Sequence, residues 1–356
     1  MQRTHIYALN IVRILCSIGV VFSHSFSLLD LNNDWLYQHT QYDSFGTVCV
    51  AIFFSISGYL MHDSWKSAPR LDVFFFKRLL RILPGLYGVI LAAVLLLPII
   101  QGIDWNIFWN NEYSWKYFNN LLVFPTELFL PYVFDSNLIR VANGPIWSIP
   151  YEVTMYAIIA LVYALTKTRW CGIIIGTLLV LFMSYHVWVY YFEGVDTRII
   201  FINLALLTRY GVYFLMGSLL ALYWHRISQK IFFAMLSVLC VIIALYNQST
   251  YILLMPFALP FLVLYSAIEL PISTLTSIRN FPDISYGIYL YAFPIQQIII
   301  SQHDRAIGPY RVFLYTMPIV ILCALISTYL IEKPALKYKK YLIPMYYPIN
   351  INQKIR

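Results

Sequence analysis

The first long apolar segment of the chain, residues 9–29, is interrupted by two polar groups that lipid excludes, Arg13 and His24. It is long enough to cross a bilayer, because ~20 residues with a helical rise of ~1.5 Å span the hydrocarbon core. The two side chains are eleven residues apart, about three helical turns, so they share one face with Asn10 and Ser17. The opposite face carries the apolar side chains of Ile11, Leu15, Ile18 and Phe22. Because an unpartnered ionisable group is costly in a membrane, this stripe predicts a functional site.

Further apolar runs follow, and together they predict an all-α polytopic membrane protein, a bundle of about ten transmembrane helices. The predicted spans are residues 9–29, 46–63, 83–101, 146–166, 171–190, 199–223, 231–246, 249–267, 285–302 and 310–331. The ninth span has the weakest apolar pattern. No internal repeat is visible, so the pattern does not support an inverted-repeat transporter.

Composition agrees with a membrane protein. The 356 residues are 60% hydrophobic and only 11% charged, with a mean hydropathy of +0.70, whereas a soluble domain is about 25% charged. The net charge of +8 is therefore expected to set membrane topology rather than to bind nucleic acid. The five cysteines lie in or beside apolar runs without paired spacing, which predicts neither a disulfide framework nor a metal site.

Lys and Arg residues are concentrated in alternate connections between the predicted spans. By the positive-inside rule, those connections and both chain termini are assigned to the cytoplasm. We therefore expect a transmembrane domain over residues 1–340 and a cytoplasmic tail over residues 341–356. The first apolar run is too long for a signal peptide and leads to no small-residue cleavage site, so we expect it to be retained.

Two connections are long enough to carry structure of their own. Residues 63–82 combine apolar and basic positions ahead of Pro84, which predicts an interfacial helix that leads into the third span. Residues 101–145, on the outer side, are rich in aromatic side chains: Trp105, Trp109, Tyr113, Trp115 and Tyr117. Such rings stack on sugars, but aromatic residues also gather at membrane interfaces, which is the commoner reason for their presence.

The helical rise places His24 ~22 Å from the inner boundary of a ~30 Å core, in its outer third. Glu152 is expected at the same depth, because the turn Asn143-Gly-Pro starts the fourth span near Trp147, with Ser148 as a candidate cap. A carboxylate that orients an imidazole is the arrangement of a general base, so the shared depth predicts a catalytic pair. The structural alternatives are a histidine that hydrogen-bonds between helices and a glutamate at a wet helix end.

Arg78 and Arg81 precede the third span and share one helical face, where they could hold phosphate groups. Their alternative role is topology together with the binding of anionic lipid, which their spacing alone favours. Arg13 is expected near them, ~16 Å along its helix from His24. A long cofactor with a phosphorylated head could thus lie along the stripe, with its reactive end at His24.

Three further features are weaker signals. Arg209 lies near the middle of the sixth span and requires a partner, for which Glu152 or a bound anion is a candidate. Tyr286 and Tyr289 present two hydroxyls on one side of the ninth span, although packing explains them equally well. The sequence Glu332-Lys333-Pro334 is expected to end the tenth span. The candidate substrate-binding residues are Trp147, Ser148, Arg209, Tyr286 and Tyr289.

In this order and spacing, the motifs resemble those of the membrane-bound acyltransferase-3 family, from residue 9 to about residue 337. The likeness rests on Arg13-x10-His24, Phe53-Phe54-x-x-Ser57-Gly58-Tyr59-Leu60, Arg78-x-x-Arg81, Trp147-Ser148-x-x-x-Glu152, Ser285-Tyr286-Gly-Ile-Tyr289-Leu and Glu332-Lys333-Pro334. Members of that family transfer acyl groups, usually acetyl, from cytoplasmic acyl-CoA to extracytoplasmic sugars such as O-antigens, exopolysaccharides and peptidoglycan.

The resemblance implies that His24 is catalytic, and that Arg13, Arg78 and Arg81 serve the donor, acetyl-CoA or another acyl-CoA. It also implies a bacterial inner membrane, contact with its lipids, and a surface glycan or lipid-linked oligosaccharide as acceptor. Many relatives carry a histidine in the stretch that corresponds to residues 291–293, which this chain lacks, so a second histidine base is excluded there. Some relatives append a soluble extracytoplasmic domain; here we expect transfer to be completed within the membrane domain and its outer loops.

The sequence therefore predicts an integral-membrane O-acetyltransferase that acts on a surface polysaccharide or its lipid-linked precursor. His24, oriented by Glu152 and aided by Arg13, is expected to act as a general base or as an acyl carrier. The alternative is a flippase for a glycan or lipid intermediate, in which the stripe lines a pathway without acyl transfer. A sensor or scaffold with degenerate sites is a third class.

Overall fold

A computed structural model describes residues 2–30, 34–166, 168–192, 197–270, 282–303 and 306–338, so the predicted tail over residues 341–356 lies outside the described residues. The α-helices are α1 Gln2–Ser27, α2 Trp35–Thr40, α3 Phe45–Lys66, α4 Leu71–Ile100, α5 Trp105–Asn110, α6 Glu112–Lys116, α7 Ile149–Leu165, α8 Thr168–Tyr191, α9 Leu204–Tyr223, α10 Lys230–Ala244, α11 Gln248–Ile268, α12 Ser285–Gln302, α13 Pro309–Ile326 and α14 Lys333–Lys337. Short 3-10 helices lie at Tyr117–Leu122, Pro145–Ser148 and Trp224–Arg226, a π-helix at Ser327–Glu332, and strands β1 and β2 at Arg198–Ile199 and Ile202–Asn203.

Within these described ranges, eight helical segments are long and apolar enough to cross a membrane. They confirm the predicted class, an all-α polytopic membrane protein. The other two predicted spans also form helices. α10 has only 15 residues, ~22 Å by helical rise, and is shorter than a ~30 Å core. α12 is less apolar because it carries polar side chains such as Gln296 and Gln297, which are fully buried within the protein and not exposed to lipid.

The predicted boundary between an interfacial helix over residues 63–82 and a third span from residue 83 is wrong. α3 continues to Lys66, and α4 then runs without interruption from Leu71 to Ile100. Pro84 lies inside α4, which is possible because neighbouring helices compensate for the backbone groups that a proline frees in a membrane helix. The 30 residues of α4 extend ~45 Å, so one end of this helix reaches beyond the hydrocarbon core.

The expected helix end at Glu332-Lys333-Pro334 is also wrong. The π-helix follows α13 directly, and α14 continues the helical path to Lys337. Pro334 stands in the first turn of α14, a position where its missing N–H is tolerated. The predicted start of the sixth span at residue 199 also moves. Strands β1 and β2 pair antiparallel there, and the helix begins after them at Leu204.

α3 and α9 pack with their backbones close together. The space beside the Gly58 Cα is filled by the carbonyl group of Phe214, and the space beside Gly217 is filled by the carbonyl group of Ser55. The Ser218 hydroxyl, which is fully buried, donates to the carbonyl oxygen of Gly58 at 3.1 Å. Small residues of this kind are what allow helices to approach closely in a membrane, where packing and hydrogen bonds drive association.

The polar face predicted for α1 points into the bundle. Ser17 is fully buried, whereas Leu15, on the opposite face, is 61% exposed and is therefore free to contact lipid. α12 runs beside this face, and the Gln296 amide donates to the Val21 carbonyl and to the Ser25 hydroxyl, both at 2.8 Å. These contacts fix the register of α12 against α1 and leave the polar residues of both helices facing the interior.

We predict that Gly58→Val destabilises the protein by about 1–3 kcal/mol, because a side chain at this position must push α3 and α9 apart. Gly176→Val is the matched control, since Gly176 is also within a helix but has open space beside it. Thermal unfolding of the two purified variants in detergent should show a lower midpoint for Gly58→Val alone. Equal midpoints would contradict the close α3–α9 packing.

Candidate active site

One carboxylate, that of Asp283, joins two of the arginines that were predicted to bind the acyl donor. Its Oδ2 accepts from Arg13 Nη1 at 2.5 Å and from Arg81 Nη2 at 2.7 Å. Its Oδ1 accepts from the Ser285 hydroxyl at 2.5 Å and from the Ser285 backbone N–H at 3.2 Å. Asp283 thus connects α1 and α4 to the first turn of α12. We call the side chains of Arg13, Arg81 and Asp283 the Asp283 cluster.

Arg78 shares the helix α4 with Arg81 but is outside the Asp283 cluster. Its Nε is buried and has no hydrogen-bond partner within the part of the chain that the structure describes. A buried donor without a hydrogen bond lowers the stability of the protein by about 1–3 kcal/mol, so such groups are rare. The predicted grouping of Arg13 with Arg81 is therefore observed, whereas Arg78, on the same helix as Arg81, keeps an unused donor.

A small cavity of about 50 Å³ continues from the Asp283 cluster into the bundle, and we call it the Glu152 cavity. Its wall includes Arg13, Ser57, Glu152 and Tyr286. The Ser57 and Tyr156 hydroxyls donate to Glu152 Oε1 at 2.7 Å and 2.5 Å. These two hydrogen bonds replace those that the carboxylate would form with water, so they stabilise Glu152 in the wall of this cavity.

His24 lies in a different and larger cavity of about 360 Å³, the His24 cavity, between the end of α1 and the starts of α3, α7 and α9. Its wall is rich in hydroxyl and aromatic side chains, among them Ser23, Ser44, Tyr37 and Trp147. The imidazole is packed edge-on against the Phe293 ring at 5.3 Å between centroids. Phe293 belongs to the stretch where a second histidine was excluded.

The predicted pairing of Glu152 with His24 is not formed. Glu152 binds Ser57 and Tyr156, and within the described residues His24 Nδ1 is buried without a hydrogen-bond partner. Equal depth along two helices does not fix the direction of a side chain around each helix, which is why the depth argument failed. Glu152 instead shares its cavity with Arg13.

The two cavities meet at α12. Tyr289 and Val50 belong to both walls, and the Tyr289 hydroxyl bonds with Ser148 Oγ at 2.7 Å and with the Pro145 carbonyl at 2.9 Å. Ser148 therefore bonds to Tyr289 and does not cap α7, for which no side-chain cap bond is formed. The Tyr286 hydroxyl points elsewhere, to the Ile82 carbonyl at 2.9 Å, so the two tyrosines do not act as a pair.

Asp34 is the carboxylate that lines the His24 cavity, and it is 1% exposed. Its Oδ2 accepts from the Ser23 hydroxyl at 2.6 Å and from the Phe45 N–H at 2.7 Å, while its Oδ1 caps α2 through the Tyr37 N–H at 3.2 Å. Asp34 therefore fixes the end of α1 and the starts of α2 and α3 around the cavity.

Arg209 also lines the His24 cavity, and its partner is Asp43 rather than the predicted Glu152 or bound anion. The guanidinium forms an ion pair with the Asp43 carboxylate and lies 4.8 Å above the Tyr42 ring. Burial raises the pKa of Asp43, and the charge of Arg209 opposes that shift. Burial also raises the pKa of Tyr42 to about 12, so its phenol stays protonated.

Comparison with known proteins adds the family. An acyltransferase domain matches residues 6–331. The chain belongs to the acyltransferase-3 family. It is 29% identical over 334 residues to an "O-acetyl transferase" of Shigella phage Sf6, with 90% of this chain and 93% of the relative covered. It is 27% identical over 361 residues to "Nodulation protein 10" of Rhizobium leguminosarum bv. viciae, with 94% of each chain covered. No solved structure gives a significant match.

The chain is thus a multi-pass membrane acyltransferase. Three carboxylates were missed in the sequence because each lies in a short connection outside the apolar runs: Asp34, which lines the His24 cavity, and Asp43 and Asp283, which pair with the lining arginines Arg209 and Arg13. The signal for Asp283 was its place between Pro282 and the Ser-Tyr-Gly-Ile-Tyr motif of the acyltransferase-3 resemblance. For Asp34 it was the helix-capping residue type at the start of a short helix.

We predict that Asp283→Asn destabilises the protein by about 2 kcal/mol, because it leaves two guanidiniums without their shared carboxylate. Loss of one partner of a fully buried pair costs about 3–5 kcal/mol, and this pair is partly solvated, with side chains 16% and 15% exposed for Arg13 and Asp283. Asp72→Asn is the control, since its pair with Arg70 is exposed and worth about 1 kcal/mol or less. Thermal unfolding in detergent measures both variants, and equal midpoints would contradict the prediction.

Proposed function

We propose that the chain is an integral-membrane O-acetyltransferase of the bacterial inner membrane, with both termini cytoplasmic. It moves an acetyl group from cytoplasmic acetyl-CoA to a hydroxyl of an extracytoplasmic surface polysaccharide, of O-antigen or exopolysaccharide type, or of its lipid-linked precursor. The printed name of the phage relative, "O-acetyl transferase", supports acetyl as the acyl group.

The observation that carries the proposal is the separation of two kinds of site along α1. Arg13 and the Asp283 cluster lie at one end, where arginine side chains suit the phosphate groups of a donor. His24 lies at the other end, in a cavity of about 360 Å³ with many hydroxyl and aromatic side chains, the types that bind sugars. The Glu152 cavity lies between them.

The arginines present fit an anionic donor head. Two guanidiniums each donate one N–H to the same carboxylate oxygen, at 2.5 Å and 2.7 Å, and charged donors that converge on one oxygen would also suit a phosphate oxygen. Arg78 lies three residues before Arg81 on α4, and its buried Nε, which has no hydrogen-bond partner among the described residues, is a further donor. Arg13, Arg78 and Arg81 are therefore the residues that would hold the phosphates, and the Asp283 carboxylate is the group with which a phosphate competes.

His24 supplies the base. As the acceptor oxygen forms a bond to the thioester carbonyl carbon, the imidazole takes the hydroxyl proton; the carbon–sulfur bond then breaks, and the proton leaves with the sulfur as free thiol. In the carrier alternative, the imidazole first takes the acetyl group itself and then passes it to the acceptor. Release of one equivalent of CoA before any acceptor is added would identify the carrier route.

We predict that His24→Ala lowers the rate of acetyl transfer by about 10²- to 10⁴-fold, because the base is lost. His62→Ala is the matched control: His62 is also on a membrane helix, but it contacts the Tyr163 ring and lines neither cavity. The measurement is transfer of labelled acetyl to the glycan by the purified proteins. A normal rate in His24→Ala would disprove the proposed mechanism.

We predict that Arg81→Gln raises the KM for acetyl-CoA at least tenfold with a smaller change in kcat, because one phosphate-binding group is lost. Arg70→Gln is the control, since Arg70 lies at the start of the same helix but pairs with Asp72. Binding of acetyl-CoA to the purified proteins, measured by calorimetry, should weaken in parallel. A flippase would instead move its lipid intermediate without acyl-CoA and would tolerate Arg81→Gln, which would favour the transporter alternative.

A further inference from the structure

The walls of the His24 cavity carry a specific set of charges. Arg209 is the only Lys or Arg among the described residues that line it. Its guanidinium is already paired with Asp43, whose side chain is 6% exposed, while the Arg209 side chain keeps 25% of its surface exposed. The positive charge of Arg209 at the cavity wall is therefore neutralised by Asp43, which lies outside the wall.

A second carboxylate makes the cavity net negative. Asp34 lines the wall, and its oxygens accept from Ser23, Phe45 and Tyr37. All three donors are neutral groups, so they stabilise the charge of Asp34 without cancelling it. With His24 neutral, as a base must be, Asp34 and Asp43 outweigh Arg209 by one negative charge.

We propose that the acceptor bound in the His24 cavity is an uncharged sugar, and that Asp34 and Asp43 select against acidic sugars. This inference rests on the proposed function and specifies its substrate class. A uronic acid or another anionic sugar brings a carboxylate into a cavity whose described wall offers no unpaired Lys or Arg and presents the carboxylate of Asp34. Asp43 contributes from outside the wall, because it already neutralises Arg209. A desolvated charge without a partner is strongly disfavoured. A neutral ring needs only hydroxyl partners and an apolar face.

The rest of the wall suits such a ring. Ser23, Ser44 and Tyr37 line the wall and offer hydroxyl groups that donate or accept hydrogen bonds. Trp147 lies in the same wall, with an edge contact to the Tyr151 ring and a tilted contact to the Tyr210 ring. A volume of about 360 Å³ is at the lower end of the range for small-molecule sites, ~300–1,000 Å³, which agrees with binding of one or two sugar rings at a time.

The test uses acceptor pairs that differ only at C6. The full-length protein in nanodiscs receives labelled acetyl-CoA with methyl glucoside or methyl glucuronide, and with methyl galactoside or methyl galacturonide. The same four sugars are also supplied on polyprenyl diphosphate. We expect kcat/KM to be at least tenfold higher for the neutral member of each pair that is acetylated. Equal or better transfer to the acidic members would overturn the inference and leave the O-acetyltransferase proposal intact.

Asp43→Asn tests the residue responsible. Removal of this carboxylate leaves Arg209 free to pair with an acidic acceptor, so the neutral-to-acidic ratio of kcat/KM should fall at least fivefold. Glu112→Gln is the matched control, because it removes the same charge from an exposed pair with Lys116 in the segment between α4 and α7, outside the His24 cavity. An unchanged ratio in folded Asp43→Asn would overturn the role of Asp43.

The outcomes separate the two levels of the proposal. The neutral-to-acidic ratio of kcat/KM is measured on the wild-type protein, so the inference can still be tested if Asp43→Asn folds poorly. Absence of acetyl transfer to every sugar, together with normal acetyl-CoA binding, would overturn the proposed function and this inference with it. Transfer that favours acidic sugars would overturn the inference alone.

Discussion

The carboxylate of Asp283 connects three helices that are distant in sequence. It binds Arg13 of α1 and Arg81 of α4, and it holds the first turn of α12 through Ser285. In a bilayer, an arginine near a helix end either reaches the interface or pairs within the protein. Arg13 and Arg81 pair with the same residue, and separating the helices would leave buried charges unpaired. This free-energy cost fixes α1, α4 and α12 relative to one another.

The same requirement explains why α12 can be polar. Its side chains Gln296 and Gln297 are fully buried, and they bond to α1 and to the segment that precedes α7. A helix that is enclosed by other helices does not need an apolar surface, and so it can carry the hydroxyls and amides that line internal cavities. Elsewhere in the bundle, α3 and α9 pack closely at Gly58 and Gly217. The interior is thus polar along one line, from Asp283 to His24.

Local patterns were sufficient to predict the helices and the inward face of α1, since periodicity reports which side of a helix avoids lipid. They were insufficient to identify partners. Asp283 is 270 residues from Arg13, and Asp43 is 166 residues from Arg209, and no periodicity relates residues so far apart. The depth argument placed Glu152 level with His24 but carried no information on rotation about the helix, and Glu152 bonds to Ser57 instead.

The sizes of the two cavities bear on how transfer can occur. The Glu152 cavity has about 50 Å³ and the His24 cavity about 360 Å³. Since a cavity needs ~10–15 Å³ of this kind of volume to hold one water, the smaller space holds only a few waters and not the long arm of an acyl-CoA, and the predicted donor track is interrupted in this arrangement. If the thioester is to meet His24, the shared wall must open, and the hydrogen bond between Tyr289 and Ser148 lies in that wall. A wall that opened only for transfer would also keep water from the thioester of the proposed donor, and so would limit its hydrolysis.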